Sequence, residues 1–216
     1  MKGNTSIQIG GHSITQKLKE TSKELGTGYL KTKWTANEIT PDFKNISITN
    51  NSQVTSYGGY YWQYFENLDQ IATDDKNPMS ITKELYKKVT TDEGTQLVPI
   101  STENALELGD KVTVRLLIKS EDNLEFVHLK DQRASGFEPT QVLSGYQYKE
   151  GLRFYQSAKD VATHFFIDYL PKGNYVLEYD VVANQKGNFS NGITTLQCVY
   201  APEFSSHSAG MRVVVE

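Results

Sequence analysis

Residues 110–120 read DKVTVRLLIKS, and this stretch decides the fold class. Read with a period of two, Val112, Val114, Leu116 and Ile118 share one face. That is the pattern of a strand with one face in a core. The same period recurs in both directions along the chain. TSIQIGGHSITQ (5–16) alternates around Ile7, Ile9 and Ile14 and places Gly10-Gly11 where a two-residue hairpin loop needs residues free to adopt positive φ. FKNISITNNSQVTSYGGYYWQYF (43–65) predicts a strand through Ile46 and Ile48, an Asn-Asn-Ser turn, and a long aromatic strand. Ser80 to Ile100 predicts a hairpin turning at Asp92-Glu93-Gly94. GNYVLEYDVVA (173–183) starts a strand directly after a turn, and GMRVVVE (210–216) supplies another. Only QKLKETSKEL (16–25) has helical character, with thin apolar content. The fold class is all-β, built as sandwiches.

At 216 residues the chain is long enough for a substantial core. A net charge of −4 argues against a nucleic-acid partner, which requires a basic stripe to displace counterions. No apolar run approaches the length of a transmembrane helix. The single cysteine, Cys198, excludes an internal disulfide and leaves the redox compartment open. The opening MKGNTSIQIGG has no signal-like apolar core, so an export signal for the natural protein is expected outside this sequence. The polar, Pro-bearing DQIATDDKNPM (69–79) reads as a linker between two regions.

Four candidate sites present themselves. Cys198 lies nine residues before His207, a spacing that invites a thiolate–imidazole reading. Period two favours a buried wall residue instead, because Thr194, Leu196, Cys198 and Tyr200 share one face and Ile193, Thr195, Gln197 and Val199 the other. His12, His128, His164 and His207 are scattered without metal-ligand spacing, so no metal and no cofactor is expected. Asp131, Arg133 and Glu138 read as a structural ion pair around Arg133 rather than an acid–base pair. The aromatics Tyr57, Tyr60, Tyr61, Trp62, Tyr64 and Phe65 read either as a sugar or partner platform or as a strand buried on both sides with a bulge at Gly58-Gly59.

An ordered set of motifs resembles one family. It begins with Gly109-Asp110 before the Val-rich strand, then Phe126-Val127, Asp131-x-Arg133 and Phe137-Glu138-Pro139. Phe165-Phe166, Leu170-Pro-Lys-Gly173 with its Tyr-rich strand, and Tyr200-x-Pro202-Glu203 follow. Together they resemble the terminal macroglobulin-like domain of bacterial alpha-2-macroglobulins of the Bacteroidetes type. The resemblance implies a terminal macroglobulin-like sandwich of about seven strands over residues 76–216. Residues 1–75 are similar to the second half of a CUB-like β-domain, so some of their edge strands should lack partners. It further implies a non-catalytic piece of a large exported protease trap, periplasmic or associated with the cell envelope. Its partners would be the thioester and other macroglobulin domains of the parent chain and, through the parent, target proteases. The family's Cys-x-Glu-Gln thioester motif is absent from this sequence, and some bacterial members lack the thioester altogether. What the resemblance leaves for this chain is a sheltering contact on the thioester domain, carried over to Val199 and Tyr200, with Val199 where the family often has Met. The rival readings are a free-standing binding module using Tyr60, Tyr61, Trp62 and Tyr64, and a cysteine hydrolase using Cys198 and His207.

Overall fold

The computed structural model describes residues 5–14, 29, 31–75, 78–101 and 104–216. The helical segment expected at 16–25 lies outside the described residues. The chain forms two compact units, Met1–Gln63 and Tyr64–Glu216.

In the first unit, β1 (Thr5–Ile9) turns back through Gly10-Gly11 into β2 (His12–Ser13), and β3 (Ile46–Asn50) pairs with the other side of β1. Gly10 and Gly11 stand at φ +58° and +77°, the double left-handed turn that matches strand twist in a hairpin. The sheet order is β2-β1-β3. Ile9 is the buried hydrophobic residue among those described here, whereas Ile46 and Ile48 are exposed. Two short 3-10 turns, Ala36–Glu38 and Pro41–Lys44, precede β3. Trp34 meets Phe43 edge to face at 5.8 Å.

The aromatic strand expected after Ile48 does not form. Residues 51–67 carry no strand, and Tyr57 and Tyr61 are almost fully exposed. Aromatic residues favour strands only when a neighbouring strand gives their rings something to cover, and no described strand pairs with this segment. Both the doubly buried strand and the bulge at Gly58-Gly59 are therefore corrected.

The second unit is the sandwich. Its chain order is β4 (Met79–Thr91), β5 (Gly94–Pro99), β6 (Lys111–Ser120), β7 (Leu124–Gln132), β8 (Phe137–Pro139), β9 (Gly145–Lys149), β10 (Leu152–Ala158) and β11 (Ala162–Leu170). Then come β12 (Gly173–Ala183), β13 (Gly187–Asn191), β14 (Thr194–Cys198), β15 (Ser205–His207) and β16 (Met211–Val215). One sheet runs β15-β14-β7-β11-β10-β9, the other β5-β4-β6-β12-β8, and β13 pairs with β16. The strands outnumber the expected seven because tight turns split the chain often. Glu150-Gly151, for example, at φ +50° and +78°, separates β9 from β10.

The opening stretch behaves as its period dictates. Val112, Val114, Leu116 and Ile118 are all buried, facing Val181, Tyr179, Leu177 and Tyr175 of β12 across the ladder. The hairpin turning at Asp92-Glu93 forms, with Thr91 opposite Gly94. Phe154, Phe165 and Tyr179 extend the core as one aromatic chain, with centroids 5.6 and 5.8 Å apart.

The stretch read as a linker is stitched to the sandwich instead. Asp74 bridges His207, and the Gly210 amide donates to the Ile71 carbonyl at 2.9 Å. Asp69 accepts from Ser190 at 2.5 Å and pairs with Arg212 at 3.1 Å. Gly210 is required there, because a Cβ would overlap the Leu68 carbonyl. Polar composition suggested solvent, but the Asp69 side chain and the backbone of Ile71 and Asp74 pair with groups at the edge strands β13, β15 and β16 and the turn before β16.

Candidate functional site

Cys198 closes β14 with its side chain in the core, 4% exposed. Burial pushes its thiol up, and the Glu203 carboxylate adds to the effect. His207 stands on β15 opposite Thr195, on the solvent side of the sheet. Period two thus puts the thiol and the imidazole on opposite faces, and His207 does not reach the sulfur. The wall reading of Cys198 holds.

Asp131 is fully buried, and its cationic partner is Lys83 on β4, at 2.6 Å with neither side chain exposed. Thr194 Oγ1 donates to Oδ1 at 2.6 Å, and the Tyr179 hydroxyl donates to Oδ2. Lys83 Nζ also donates to the carbonyls of Gln132 (2.5 Å) and Gly192 (3.2 Å), so the ammonium has three acceptors. Burial pushes Lys83 down against the pull of Asp131, and pushes the Tyr179 hydroxyl well up. Arg133, the expected partner, turns away to the carbonyls of Lys159 and Asp160 and to Thr163 Oγ1. Glu138 is exposed on β8. The ion pair is structural as expected, with its cation corrected. Arg133 is the neighbour in sequence, but Lys83 is the neighbour across the sandwich.

The scattered histidines are not all apart. His128 on β7 and His164 on β11 approach to 2.9 Å between Nε2 and Nδ1, and His128 stacks on Phe166 at 4.7 Å. Burial first, then the charges of His164 and Lys130, hold His128 below the ordinary imidazole range. Burial with Lys130 and Lys159 does the same to His164. Strand register brings the two rings together, and spacing along the chain does not reveal it.

Val199 and Tyr200 follow β14 at the tip of its hairpin with β15, 54% and 80% exposed. The Val199 amide donates to the Phe126 carbonyl at 2.9 Å, which carries the ladder one step past the strand. The Phe126 ring meets Tyr200 edge to face at 5.2 Å. Phe126 is itself half-exposed at φ +52°, a backbone state that a bulky residue holds at a cost of about 1–3 kcal/mol. The result is an apolar knuckle of Phe126, Val199 and Tyr200. The family resemblance marks Val199 and Tyr200 as candidates; Phe126 joins them through the strand register, and residue type carries no signal of its unusual φ.

Of the candidate interface aromatics, Tyr60, Tyr61 and Trp62 belong to the first unit and Tyr64 to the second. Tyr60 and Trp62 lie 6.3 Å apart with planes tilted by 37°, and Tyr61 and Tyr64 are largely exposed. A separate hollow of about 390 Å³ is bordered by Lys88, Thr113, Glu178 and Asp180. Lys88 pairs with Asp180 at 2.7 Å and Arg115 with Glu178 at 2.6 Å, while Lys149 donates to the Glu178 carbonyl at 3.3 Å. Among the described residues, no group of three or more His, Cys, Asp or Glu side chains is placed to hold a metal.

The fold is shared with solved structures. A mutant of Salmonella alpha-2-macroglobulin superposes with a TM-score of 0.53 at 16% identity, over 97% of this chain and 13% of that one. Escherichia coli alpha-2-macroglobulin activated by porcine elastase gives 0.55 at 16% identity, over 68% and 14%. Native E. coli alpha-2-macroglobulin spanning domain MG7 to the C-terminus gives 0.52 at 15% identity, over 67% and 24%. The chain therefore spans no more than about a quarter of the length of these proteins. No curated protein matches it in sequence. The family profile of the bacterial alpha-2-macroglobulin MG10 domain matches residues 79–203, more than half of the chain and nearly the whole sandwich. The chain belongs to the bacterial alpha-2-macroglobulin family, with an MG10 domain as its β-sandwich.

Proposed function

We propose that this chain is a non-catalytic part of an exported bacterial protease trap, and that its sandwich shelters the parent's thioester domain. The observation that carries the reading is the knuckle at the tip of β14, where Val199 and Tyr200 stand exposed beside Phe126 inside the family-matched region. An acylating bond survives in water only while apolar groups cover it, and a conformational change removes such a cover. Val199 and Tyr200 on a hairpin tip, with Phe126 on the neighbouring β7, suit that task, because they bury area on docking and lose it on retreat.

In this reading residues 76–216 are the terminal macroglobulin-like domain and residues 1–75 part of a CUB-like domain. The exposed Ile46 and Ile48 on β3 support an unfinished sheet, whose missing strands other parts of the parent would supply. The partners are the parent's thioester and other macroglobulin domains and, through the parent, target proteases. The location is the periplasm or cell envelope. No described helix is long and apolar enough to cross a membrane.

The test begins with an antibody against this chain and fractions of the source bacterium. A band many times heavier than 24.4 kDa in the periplasmic or membrane fraction is expected. A band near that mass overturns the reading and favours a free-standing binding module. In the full-length parent, Tyr200→Gly and Val199→Gly should then speed incorporation of labelled methylamine before any protease is added. An unchanged rate removes the sheltering role.

A further inference from the structure

Strand β12 is partnered unevenly. β6 pairs with it from Gly173 to Val182, but on the other side β8 covers only Val181 to Ala183. Beyond Pro139 the chain leaves the ladder with one last contact, as the Thr140 amide and hydroxyl both donate to the Asp180 carbonyl, at 3.2 and 3.0 Å. Backbone groups two residues apart point to the same side of an antiparallel strand. The amides and carbonyls of Glu178 and Val176 therefore face the side that β8 leaves open, and no described strand meets them there. An edge in this state is a template for a further strand.

Two hollows follow that edge. The first, of about 390 Å³, reaches from Thr140 to Glu178, and a second, of about 520 Å³, continues past Glu178 to Val176. Lys149, exposed at the end of β9, borders both. Its ammonium donates to the Glu178 carbonyl at 3.3 Å and forms no ion pair among the described residues. The carbonyl it holds is one that the amide of an added strand would take. Gln156 borders the first hollow and is only 5% exposed, yet its side-chain amide makes no hydrogen bond among the described residues. A buried amide is normally hydrogen-bonded, so its open donor and acceptor point to a missing partner.

We propose that the free edge of β12 takes up an extended peptide from a second protein, which pairs through its backbone with Glu178 and Val176 and brings an acidic side chain to Lys149. The open span from Asn174 to Asp180 is about 20 Å long, room for about seven residues. Backbone pairing supplies the affinity of such strand addition, and alternate side chains supply its selectivity. One set of side chains faces Gln156, which suits small hydrogen-bonding groups. The other faces Leu117 and Lys149, which suits apolar and acidic ones. The Lys149-Glu150 turn of the other sheet borders the second hollow. A second copy of the sandwich would meet that turn before its own edge reached β12, whereas a lone strand would not. The groove uses none of the residues of the knuckle and stands independently of the sheltering role.

The untagged full chain is titrated into the fluorescein-labelled peptide TETVTET, its ends blocked, and anisotropy is followed. Saturable binding of one peptide per chain is expected, and TKTVTKT should bind more weakly. In hydrogen exchange the amides of Val176 and Glu178 should slow when TETVTET is added, while those of Leu177 and Tyr179, already turned toward β6, change little. Val176→Pro removes an amide on the free side without touching the ladder to β6, and should weaken binding about tenfold. Lys149→Glu should weaken it as well. No saturable binding, or no slowing at Val176 and Glu178, overturns the proposal. So does a chain that sediments as a dimer until Val176→Pro is introduced, because a second copy is then the occupant. If Val176→Pro does not melt as the native chain does, Lys149→Glu decides, and an unchanged affinity counts against the site.

Discussion

The ion pair between Lys83 and Asp131 joins the two sheets of the sandwich inside the core. Its energetics are asymmetric. Two buried charges that satisfy each other add little net stability, but removing one strands the other without water. Lys83→Met or Asp131→Leu alone is expected to lower unfolding free energy by roughly 3–5 kcal/mol. The double variant should fall well short of the sum of the two, and urea denaturation of all four proteins measures the difference. Tyr179 belongs to the same cluster, and its hydroxyl is held well above the ordinary value of 10.0, first by burial and then by Asp131. A group raised in the folded state contributes stability that is complete below the unfolded value and is lost as pH rises through the folded one. Native protein should therefore lose stability relative to Tyr179→Phe above about pH 10, and melting both across that range would show it. Of this cluster only the structural role of Asp131 was legible beforehand. Lys83 and Asp131 lie 48 positions apart on different sheets, and the inward position of a lysine at 83 contradicts its residue type. Arg133, close in sequence, was the natural but wrong partner.

At the scale of strands, the two-residue period was a sound guide wherever a second sheet waited to cover the apolar face. β6, β12 and β14 bury the residues their patterns mark. The hairpins at Gly10-Gly11 and Asp92-Glu93 followed from turn chemistry. The aromatic run after β3 misled because ring-rich composition describes a willing strand, not the neighbour it needs. The linker reading misled for the opposite reason, since polar residues at 69–74 hold the edge of the sandwich by directed hydrogen bonds rather than by burial. Gly210 is the pin of that attachment. Gly210→Ala should push the Leu68 segment away from β16 and lower stability by about 1–3 kcal/mol. Limited proteolysis should then cut near residues 68–75 faster than in the native chain, and an unchanged cleavage rate would refute the attachment.

Across the whole molecule, the two units are built to different standards. The sandwich holds a continuous core from Met79 to Val215, while Ile9 is the buried hydrophobic residue among those described in the first unit. Local opening follows the density of buried apolar contacts. Native-state hydrogen exchange should find the amides of β1 and β3 exchanging far faster than those of β6 and β12. Equal protection in both units would mean that the first unit's strands are stabilised in some other way. The Lys83–Asp131 link also bears on how sequences of this kind change over generations. Neither position can drift alone without passing through a chain that folds poorly, whereas a joint replacement by two apolar residues leads to firm ground. The two codons should be inherited as a unit, so that relatives carry both charges or neither, and a lone lysine or a lone aspartate at these positions should be rare.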